Sequence, residues 1–337
     1  MTRSTCIAVD AMSGDYGAQV LVPGVLDQLK INQDLRVILV GRDSVLRPYV
    51  ENIPAELASR VSFQEASQLV TMDEDPRTAL RKKKDSSMRV AINLVRDGLA
   101  DACVSAGNTG ALMATARFVL RTLPGIDRPA IIATIPAIGG NTHMLDVGAN
   151  SHCTAAQLFQ FGVMGSVVSA DIHELKSPRV GLLNIGVEAI KGTEIIREAG
   201  RMLSGSNLNY IGFIEANDIF TGHVDVVVSD GFSGNVALKT LEGAARMISS
   251  YMRAEFTRTL FSRIQGLVAL PALKAFRKRT DPRRYNGASM VGLNGIVVKS
   301  HGSADRVAFG NAIQIALVEC QQGVPTQISK LLEQQAI

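Results

Sequence analysis

Two short glycine-containing turns carry the residues of this sequence that could do chemistry. The first turn reads SAGNTG at 105–110, and the second reads SDGFSGN at 229–235. Glycines let the backbone approach an anion closely, and the helix that follows offers unpaired N–H groups and the positive end of its dipole. Each turn therefore predicts a phosphate site, although the same residue types are also typical of ordinary helix caps.

The candidate ligand-binding residues of the two turns supply hydroxyls, amides and exposed backbone N–H groups. They are Ser105, Gly107, Asn108, Thr109, Gly110, Gly231, Phe232, Ser233, Gly234 and Asn235. The surrounding sequences also resemble each other, since VSAGNTGALM at 104–113 matches VSDGFSGNVAL at 228–238. A duplicated βα unit with a shared ligand role explains this likeness, and two independent tight turns explain it equally well.

Motifs for other kinds of site are missing from the sequence. Neither GxGxxG nor GxxxxGK[ST] occurs, so a dinucleotide or P-loop site has no support. No HExxH or clustered His/Cys pattern indicates a metal, and no GxSxG indicates a nucleophilic serine. We therefore expect no metal and no cofactor, and we predict that the nucleophile of an acyl or phosphoryl transfer would be a substrate.

The turns lie in a chain that alternates between strand-like and helix-like segments. Strand-like runs begin at Cys6, Leu35, Ala100, Ala130, His143, Arg179, Tyr210 and Val224, and most end in glycine. Helices are predicted at Ala18–Leu29, Ser87–Leu99, Ala111–Leu120, Ala155–Val168, Thr193–Leu203 and Val236–Tyr251. This alternation predicts a three-layer α/β/α fold, a mostly parallel sheet covered by helices on both faces. Ligands bind such folds outside the carboxyl ends of the strands, where these glycines lie.

Composition and segment patterns set the broad class. The chain is 46% hydrophobic, with 30 Gly, no Trp and four widely spaced cysteines, as expected of a soluble α/β enzyme with reduced thiols. No linker divides it, so we expect a single catalytic domain over 1–337, with 244–284 as a helical protrusion. The charge-free segment Val147–Ala170 contains Asn150, His152 and two glutamines, which favours a buried helix over a membrane span. We expect a cytoplasmic protein without a signal peptide or transmembrane helix.

The positive charge is concentrated in one segment. The net charge is +4, but residues 244–284 contain ten basic and two acidic residues, whereas the remainder contains 25 basic and 29 acidic residues. Apolar residues of this segment follow helical spacing, so it predicts a basic amphipathic helix with GLVALPAL at its tip. Such a helix fits an anionic membrane surface or a dimer interface. Nucleic acid is not expected, because no recognition motif accompanies the charge.

Nine sequence blocks together resemble the bacterial phosphate acyltransferase family, PlsX. In chain order they are AVDAMSGDYG (8–17), LRKKKDSSM (80–88), SAGNTGALMA (105–114), RPAI (128–131), LDVGAN (145–150), GLLNIGVEAIKG (181–192), GFIEANDIF (212–220), VSDGFSGNVALKTLEG (228–243) and VVKSHGSAD (297–305). The chain departs from the family pattern at Ser13, where the family has a glycine, and at Gly186–Val187, where GEE is common. These departures affect the anion geometry of the turn at Ser13–Gly14 more than the family assignment.

The resemblance implies an enzyme in which inorganic phosphate attacks the thioester of an acyl-acyl-carrier protein. The products would be acyl phosphate, which feeds phospholipid synthesis, and free carrier protein. It also implies a fold similar to phosphotransacetylases and isocitrate-dehydrogenase-like proteins, and a homodimer held peripherally at the inner face of the cytoplasmic membrane. A glycerol-3-phosphate acyltransferase is a further implied partner. The alternatives are a phosphotransacetylase that uses acyl-CoA and a non-catalytic membrane scaffold for lipid enzymes.

Roles for individual residues follow from that chemistry. The oxyanion formed by attack on a thioester needs preorganised donors, and His301 is the best-placed group for moving a proton, although a structural role for it is equally compatible. The predicted catalytic residues are His301, Lys191, Asn184 and Asp230. Further predicted substrate contacts are Asp10, Gly14, Asp146 and Asn150. Contacts with the acidic carrier protein or the membrane are predicted at Arg263, Leu267, Val268, Leu270, Lys274, Arg277, Lys278 and Arg279.

Overall fold

The architecture is known from a computed structural model that describes residues 4–173 and 175–334, without the side chains of 173, 277–280, 282 and 284. The strands are β1 Thr5–Asp10, β2 Leu35–Gly41, β3 Val61–Glu65, β4 Ala102–Ser105, β5 Ala130–Ala137, β6 Gly140–Leu145, β7 Val180–Leu183, β8 Tyr210–Ile214, β9 Val226–Val228, β10 Ala288–Val291 and β11 Ile296–Lys299. Within the described residues they form one sheet in the order β3-β2-β1-β4-β11-β10-β5-β6-β9-β7-β8.

Helices cover both faces of this sheet. They are α1 Ala18–Ile31, α2 Asp43–Val50, α3 Ala55–Ala58, α4 Pro76–Lys82, α5 Ser87–Arg96, α6 Thr109–Leu120, α7 Ala155–His173, α8 Glu194–Ser204, α9 Gly231–Thr257, α10 Leu260–Thr280, α11 Arg306–Gln322 and α12 Val324–Gln334. The predicted α/β fold with a mostly parallel sheet is confirmed. Sequence patterns did not predict β3, β10, β11, α2, α3, α4, α11 or α12.

The sheet reverses direction at its centre. Strands β1, β2, β3, β4 and β11 are mutually parallel, as are β6, β9, β7 and β8. Between the two groups, β10 and β5 pair antiparallel with each other and with their outer neighbours β11 and β6. The carboxyl ends of the two parallel groups therefore point to opposite edges of the sheet, which the alternating pattern did not reveal.

This topology accounts for the internal likeness between the two glycine turns. In one half of the sheet β4 lies two strands outward from β10, and in the other half β9 lies two strands outward from β5. Each of these strands leads directly into a helix, α6 or α9, through one of the two turns. The equivalent positions favour the duplicated βα unit over two independent turns.

Buried side chains form the core on both faces of the sheet. Along β1, Ile7 and Val9 pack into the cluster that lies beneath α1 and α11, whereas Ala8 packs into the cluster beneath α5 and α6. A third cluster surrounds Phe161 of α7. This burial of alternate residues on both faces explains why the strands are continuous apolar runs. No helix in the described part of the chain has the length and apolar character needed to span a bilayer.

Two helical predictions need correction. Helix α9 begins at Gly231 rather than Val236 and extends to Thr257 rather than Tyr251, because Asp230 caps it and the glycines themselves form its first turn. The charge-free segment from Val147 is irregular until α7 begins at Ala155. The carboxylate of Asp146 organises that irregular stretch, as described below.

Helices α9 and α10 form an antiparallel pair that contains most of the basic segment. A capping box between Thr259 and Ser262 starts α10 directly after α9 ends. Gly266 of α10 lies against Phe256 of α9, so the two helices approach closely near the turn. On α10, Leu267 and Val268 are 66% and 79% exposed, which leaves an apolar face open to solvent.

Candidate active site

The ends of three neighbouring parallel strands bring together a polar group that we call the β1–β4–β11 cluster: Asp10, Ser13, Ser105, Lys299 and His301. Asp10 pairs in register with Ser105, and Ser105 pairs with Lys299. The Ser105 hydroxyl donates to Asp10 Oδ2 over 2.7 Å. Strand register thus places an acid, a hydroxyl and an amine side by side, although they are far apart in sequence.

Asp10 is almost fully buried in this cluster. Burial raises its pKa, and its Oδ1 atom has no hydrogen-bond partner in the described structure. The Ser13 hydroxyl donates to the Asp10 carbonyl (2.7 Å) and accepts from the Ala106 amide (2.9 Å). Ser13 therefore ties the β1 loop to the β4 loop. Gly14 adopts a left-handed φ of 75°, and a Cβ there would lie 2.9 Å from the Gly302 carbonyl oxygen.

Lys299 is the residue of this cluster that the sequence analysis missed. Its side chain is 8% exposed, and Nζ donates to the carbonyl oxygens of Ala106 (3.3 Å) and Ser300. Burial lowers its pKa to about 8. One signal in the sequence could have identified it: the lysine ends the apolar run IVVK, and lysine is rarely found at the end of a buried strand unless its amine has a role.

His301 follows directly on the same loop. The Ser303 amide donates to Nδ1 over 3.2 Å, so the neutral ring carries its proton on Nε2 and presents a donor there. Burial lowers the pKa of His301, and nearby Lys239 lowers it further. Lys239 and Glu242 belong to α9, which runs back across the sheet from the opposite edge to reach this cluster.

The first turn of α6 opens beside these residues. Asn108 caps the helix by accepting from the Ala111 amide (2.9 Å), and its Nδ2 donates to the carbonyl oxygens of Met72 and Glu74. The amides of Thr109 and Gly110 have no protein acceptor in the described structure. The turn at 105–110 therefore keeps free backbone donors for an anion.

The second turn belongs to a separate group, the β6–β9 cluster, formed by Asp146, Asn150 and residues 229–235. Five N–H donors surround the Asp146 carboxylate: the amides of Ile131, Gly148, Ala149 and Asn150 and the Asn150 side chain. The Leu145–Asp146 peptide is cis. Burial raises the pKa of Asp146 even so. Its oxygens are fully occupied in organising the 146–150 loop, so the geometry favours a structural role.

Close packing explains the two glycines of this second turn. A Cβ at Gly234 would lie 1.9 Å from the Asp146 carbonyl oxygen, and one at Gly231 would lie 2.8 Å from the Asn150 carbonyl oxygen. Asp230 accepts from the Ser233 amide (2.8 Å) and hydroxyl (3.0 Å) as the helix cap. The amides of Gly231, Ser233 and Gly234 all have protein acceptors. This turn therefore has fewer free backbone N–H donors for an anion than the first turn.

Asn184 and Lys191 lie in a third place, on the loop that follows β7. Asn184 accepts from the Ile185 amide (2.9 Å) and donates to the Lys191 carbonyl (3.2 Å). Lys191 is exposed, and its ion pair with Glu188 (2.8 Å) raises its pKa. These contacts stabilise the loop itself, and the catalytic roles predicted for both residues stay predictions.

The structure thus distributes the predicted residues over two edges of the sheet. His301, Asp10, Gly14 and the residues of the first turn lie at one edge; Asp146, Asn150, Asp230, Asn184, Lys191 and the second turn lie at the other. The described residues contain no group of three or more His, Cys, Asp or Glu side chains that could hold a metal ion. A shallow cavity of about 180 Å³ lies at the amino ends of β1 and β2, away from both clusters.

The predicted docking residues lie on α10. Arg263, Leu267, Val268, Leu270 and Lys274 are in its described part. The side chains of Arg277, Lys278 and Arg279 lie outside the described residues. The contacts predicted for all eight stay predictions.

Known proteins resemble this chain both in sequence and in fold. A family model described as a fatty acid synthesis protein matches residues 5–327. The phosphate acyltransferase of Methylococcus capsulatus is 56% identical over 326 residues (97% of this chain, 96% of the relative), and that of Nitrosococcus oceani is 58% identical over 330 (98% and 97%). A Streptococcus pyogenes phosphotransacetylase has a similar fold (TM-score 0.63, 17% identity, 95% of both chains), as has an Enterococcus faecalis branched-chain phosphotransacylase (TM-score 0.55, 14% identity, 94% and 99%). The chain therefore belongs to this fatty acid synthesis protein family, the PlsX family that its sequence blocks resemble.

Proposed function

We propose that this protein is a phosphate acyltransferase that converts an acyl-acyl-carrier protein and inorganic phosphate into acyl phosphate and free carrier protein. The observation that carries the proposal is the 56–58% identity, over nearly the whole chain, to relatives named phosphate acyltransferase. The β1–β4–β11 cluster supplies a geometry for the reaction, because it combines anion donors with a buried amine. It requires no protein nucleophile, since phosphate itself attacks.

The first turn is the better phosphate site of the two. Free amides at Thr109 and Gly110, the dipole of α6 and the Lys299 ammonium all favour a bound dianion. In the second turn, Asn150 and Asp230 occupy the amides of Gly231, Ser233 and Gly234, which leaves that of Phe232. Holding phosphate against the thioester converts a bimolecular reaction into an effectively unimolecular one and lowers the barrier by up to ~7–11 kcal/mol.

The chemical steps balance without a cofactor. A phosphate oxygen attacks the thioester carbonyl carbon, and the tetrahedral intermediate carries the negative charge on the former carbonyl oxygen. In this proposal the His301 Nε2–H donates to that oxyanion, a contribution typically worth ~2.7–4 kcal/mol. The carbonyl re-forms as the C–S bond breaks with its electron pair moving to sulfur, and the proton of the attacking hydrogen phosphate passes to Lys299 after Lys299 has protonated the sulfur. Lys299, with a pKa of about 8, is well matched to protonate a thiolate whose own pKa is ~8.5.

The α9–α10 pair supports a peripheral membrane location. Its segment 244–284 holds the excess positive charge of the chain, and α10 exposes Leu267 and Val268 beside Arg263 and Lys274. Basic residues next to exposed apolar side chains fit an anionic bilayer surface. In this proposal the protein acts as a homodimer at the inner face of the cytoplasmic membrane, where a glycerol-3-phosphate acyltransferase consumes the acyl phosphate.

Parallel turnover assays test the activity. Purified protein is given phosphate with long-chain acyl-carrier protein, long-chain acyl-CoA or acetyl-CoA, and thiol release is measured with and without phosphate. Phosphate-dependent release of carrier-protein thiol is the expected result, and it excludes a purely scaffolding role. Turnover of acetyl-CoA alone would contradict the proposal and favour a phosphotransacetylase.

Liposome flotation tests the membrane contact. Replacing Leu267, Val268 and Leu270 by glutamine removes the apolar face and is expected to weaken binding to anionic vesicles while leaving activity in solution intact. A matched control replaces Ile31 and Phe118, which are similarly exposed elsewhere on the surface. Equal binding by both variants would move the membrane contact away from α10.

A further inference from the structure

Helix α4 exposes a basic surface that the site described above does not use. Arg77, Arg81, Lys82 and Lys84 are all exposed, and none of them forms an ion pair in the described structure. We call these four residues the α4 surface. The helix exposes no large apolar side chain, in contrast to α10.

The acidic residues around α4 are engaged elsewhere. Asp75 caps the helix by accepting from the Thr78 amide (2.8 Å), and Asp85 accepts from the Ser67 amide (2.8 Å). Glu74 pairs with Lys83 (3.4 Å). The segment 73–85 has nearly balanced charges, and Asp73, Asp75 and Asp85 stay exposed beside its cations. The carboxylates of Glu74, Asp75 and Asp85 are held in local contacts, whereas the four cations of the α4 surface form no ion pair in the described structure.

This surface lies directly beside the β1–β4–β11 cluster. Asn108, the cap of α6, donates to the carbonyl oxygens of Met72 (2.7 Å) and Glu74 (3.2 Å) on the segment that leads into α4. A Cβ at Gly110 would lie 2.9 Å from Pro76, the first residue of α4. The α4 surface is therefore at the rim of the turn that keeps free amides.

The tip of the α9–α10 pair is farther from the same cluster. Glu242 of α9 lies near His301, and α9 continues for fifteen residues to Thr257. At a rise of 1.5 Å per residue, the tip is about 23 Å beyond the cluster. The chain thus has two separate basic surfaces, one apolar and remote, the other purely polar and adjacent to the site.

We propose that the α4 surface docks an acidic protein that carries the acyl thioester on a flexible arm and delivers it to the β1–β4–β11 cluster. The inference rests on the proposed function and assigns its substrate a docking site. Charge complementarity selects this occupant: four exposed cations outside any ion pair, on a helix that itself exposes no large apolar side chain although Met72 just before it is 44% exposed, attract an acidic protein face, whereas the apolar face of α10 suits lipid. Docking beside the cluster lets a short arm reach the bound phosphate.

Charge reversal on each basic surface separates the two docking sites. The variant Arg81→Glu/Lys82→Glu changes α4, the matched control Arg263→Glu/Lys274→Glu changes α10, and Arg81→Lys/Lys82→Arg keeps the charge. Each is assayed with acyl-carrier protein and with the same acyl group on free pantetheine. For the α4 reversal we expect the KM for acyl-carrier protein to rise about tenfold, with kcat and the KM values for acyl-pantetheine and phosphate unchanged.

Ionic strength gives a second readout. The KM of the wild type for acyl-carrier protein is expected to rise with salt, whereas that of the α4 reversal changes little, because the attraction is already lost. An unchanged KM for the α4 reversal, or a larger rise for the α10 control, would overturn the inference. An equal rise with acyl-pantetheine would also overturn it, since the effect would then be on the site itself. Absence of any turnover of acyl-carrier protein by the wild type would instead overturn the proposed function on which the inference rests.

Discussion

Replacing Lys299 by methionine tests whether the buried amine is kept for its chemistry at the expense of stability. Methionine has a similar length and no charge, so it fills the same space without the ammonium. The fold lowers the lysine pKa from 10.5 to about 8. The unfolded chain therefore binds more protons between these two pH values, and the free energy of unfolding of the wild type rises with pH across that window.

The size of the effect follows from the shift. The lowering of the Lys299 pKa from 10.5 to about 8 corresponds to about 3 kcal/mol of unfolding free energy. Below pH 8 the buried charged amine lowers the stability of the fold by this amount. Above about pH 10.5 the amine is neutral in both states and no longer lowers it. Methionine also leaves the carbonyl oxygens of Ala106 and Ser300 without this donor, a loss of about 1–3 kcal/mol. At pH 7 the variant is thus expected to be as stable as the wild type or up to about 2 kcal/mol more stable. At pH 10 it is expected to be less stable.

Urea unfolding of the wild type and the Lys299→Met variant at pH 7 and pH 10 checks whether the order of their stabilities reverses between these two pH values. Phosphate-dependent thiol release is measured in parallel, and loss of the acid is expected to lower kcat by ~10²-fold or more. Lys299→Arg serves as a control that retains charge over the whole range. Parallel stability curves would refute the buried, titrating amine, and full activity of the methionine variant would refute its role as proton donor.

Further predictions concern the packing of glycines, the buried carboxyl group of Glu319 and the two glycine turns. Gly234→Ala is expected to destabilise the fold by ~3 kcal/mol or more, because its Cβ would meet the Asp146 carbonyl, whereas Gly243→Ala in the open part of α9 is expected to stabilise by ~1 kcal/mol; thermal melts compare them. Burial raises the pKa of Glu319 from 4.5 to about 7, so the wild type loses stability as pH rises through that range. Glu319→Gln is expected to be about 3 kcal/mol more stable at pH 8 and equal near pH 4.5, and a constant difference would contradict this. Asn108→Ala removes the cap of α6 and the side-chain bonds to the Met72 and Glu74 carbonyls that hold the first turn, so the KM for phosphate is expected to rise about tenfold, while Ser233→Ala leaves it unchanged; the reverse order would assign phosphate to the second turn.

Much of the fold could be predicted from local sequence. Strands β1, β2, β4 and β5 are buried on both faces and therefore read as continuous apolar runs, which periodicity detects. Their connection through glycine turns to amphipathic helices predicted the α/β class. Strands β10 and β11 were not predicted, and with them the central reversal of the sheet was missed.

The candidate site was only partly predictable. Residue types identified both glycine turns, but they could not separate a turn that keeps free amides from one whose glycines exist for packing. That distinction depends on the Asp146 carbonyl, which meets Gly234 across more than eighty residues of chain. The helix boundary at Gly231 was misplaced for the same reason, since glycine normally disfavours helix and only the tight contact with the 146–150 loop requires it.

The sequence by itself determined the class of fold, the concentration of basic charge in 244–284 and the family, because these depend on composition, local periodicity and motif order. Only the tertiary structure placed Lys299 beside Asp10 and Ser105, because register across β1, β4 and β11 joins positions separated by about 95 and 194 residues. It also held the carboxylates around α4 in local contacts and left its cations exposed. Both arrangements depend on contacts between distant segments, and a linear pattern carries no information about them until the chain is folded.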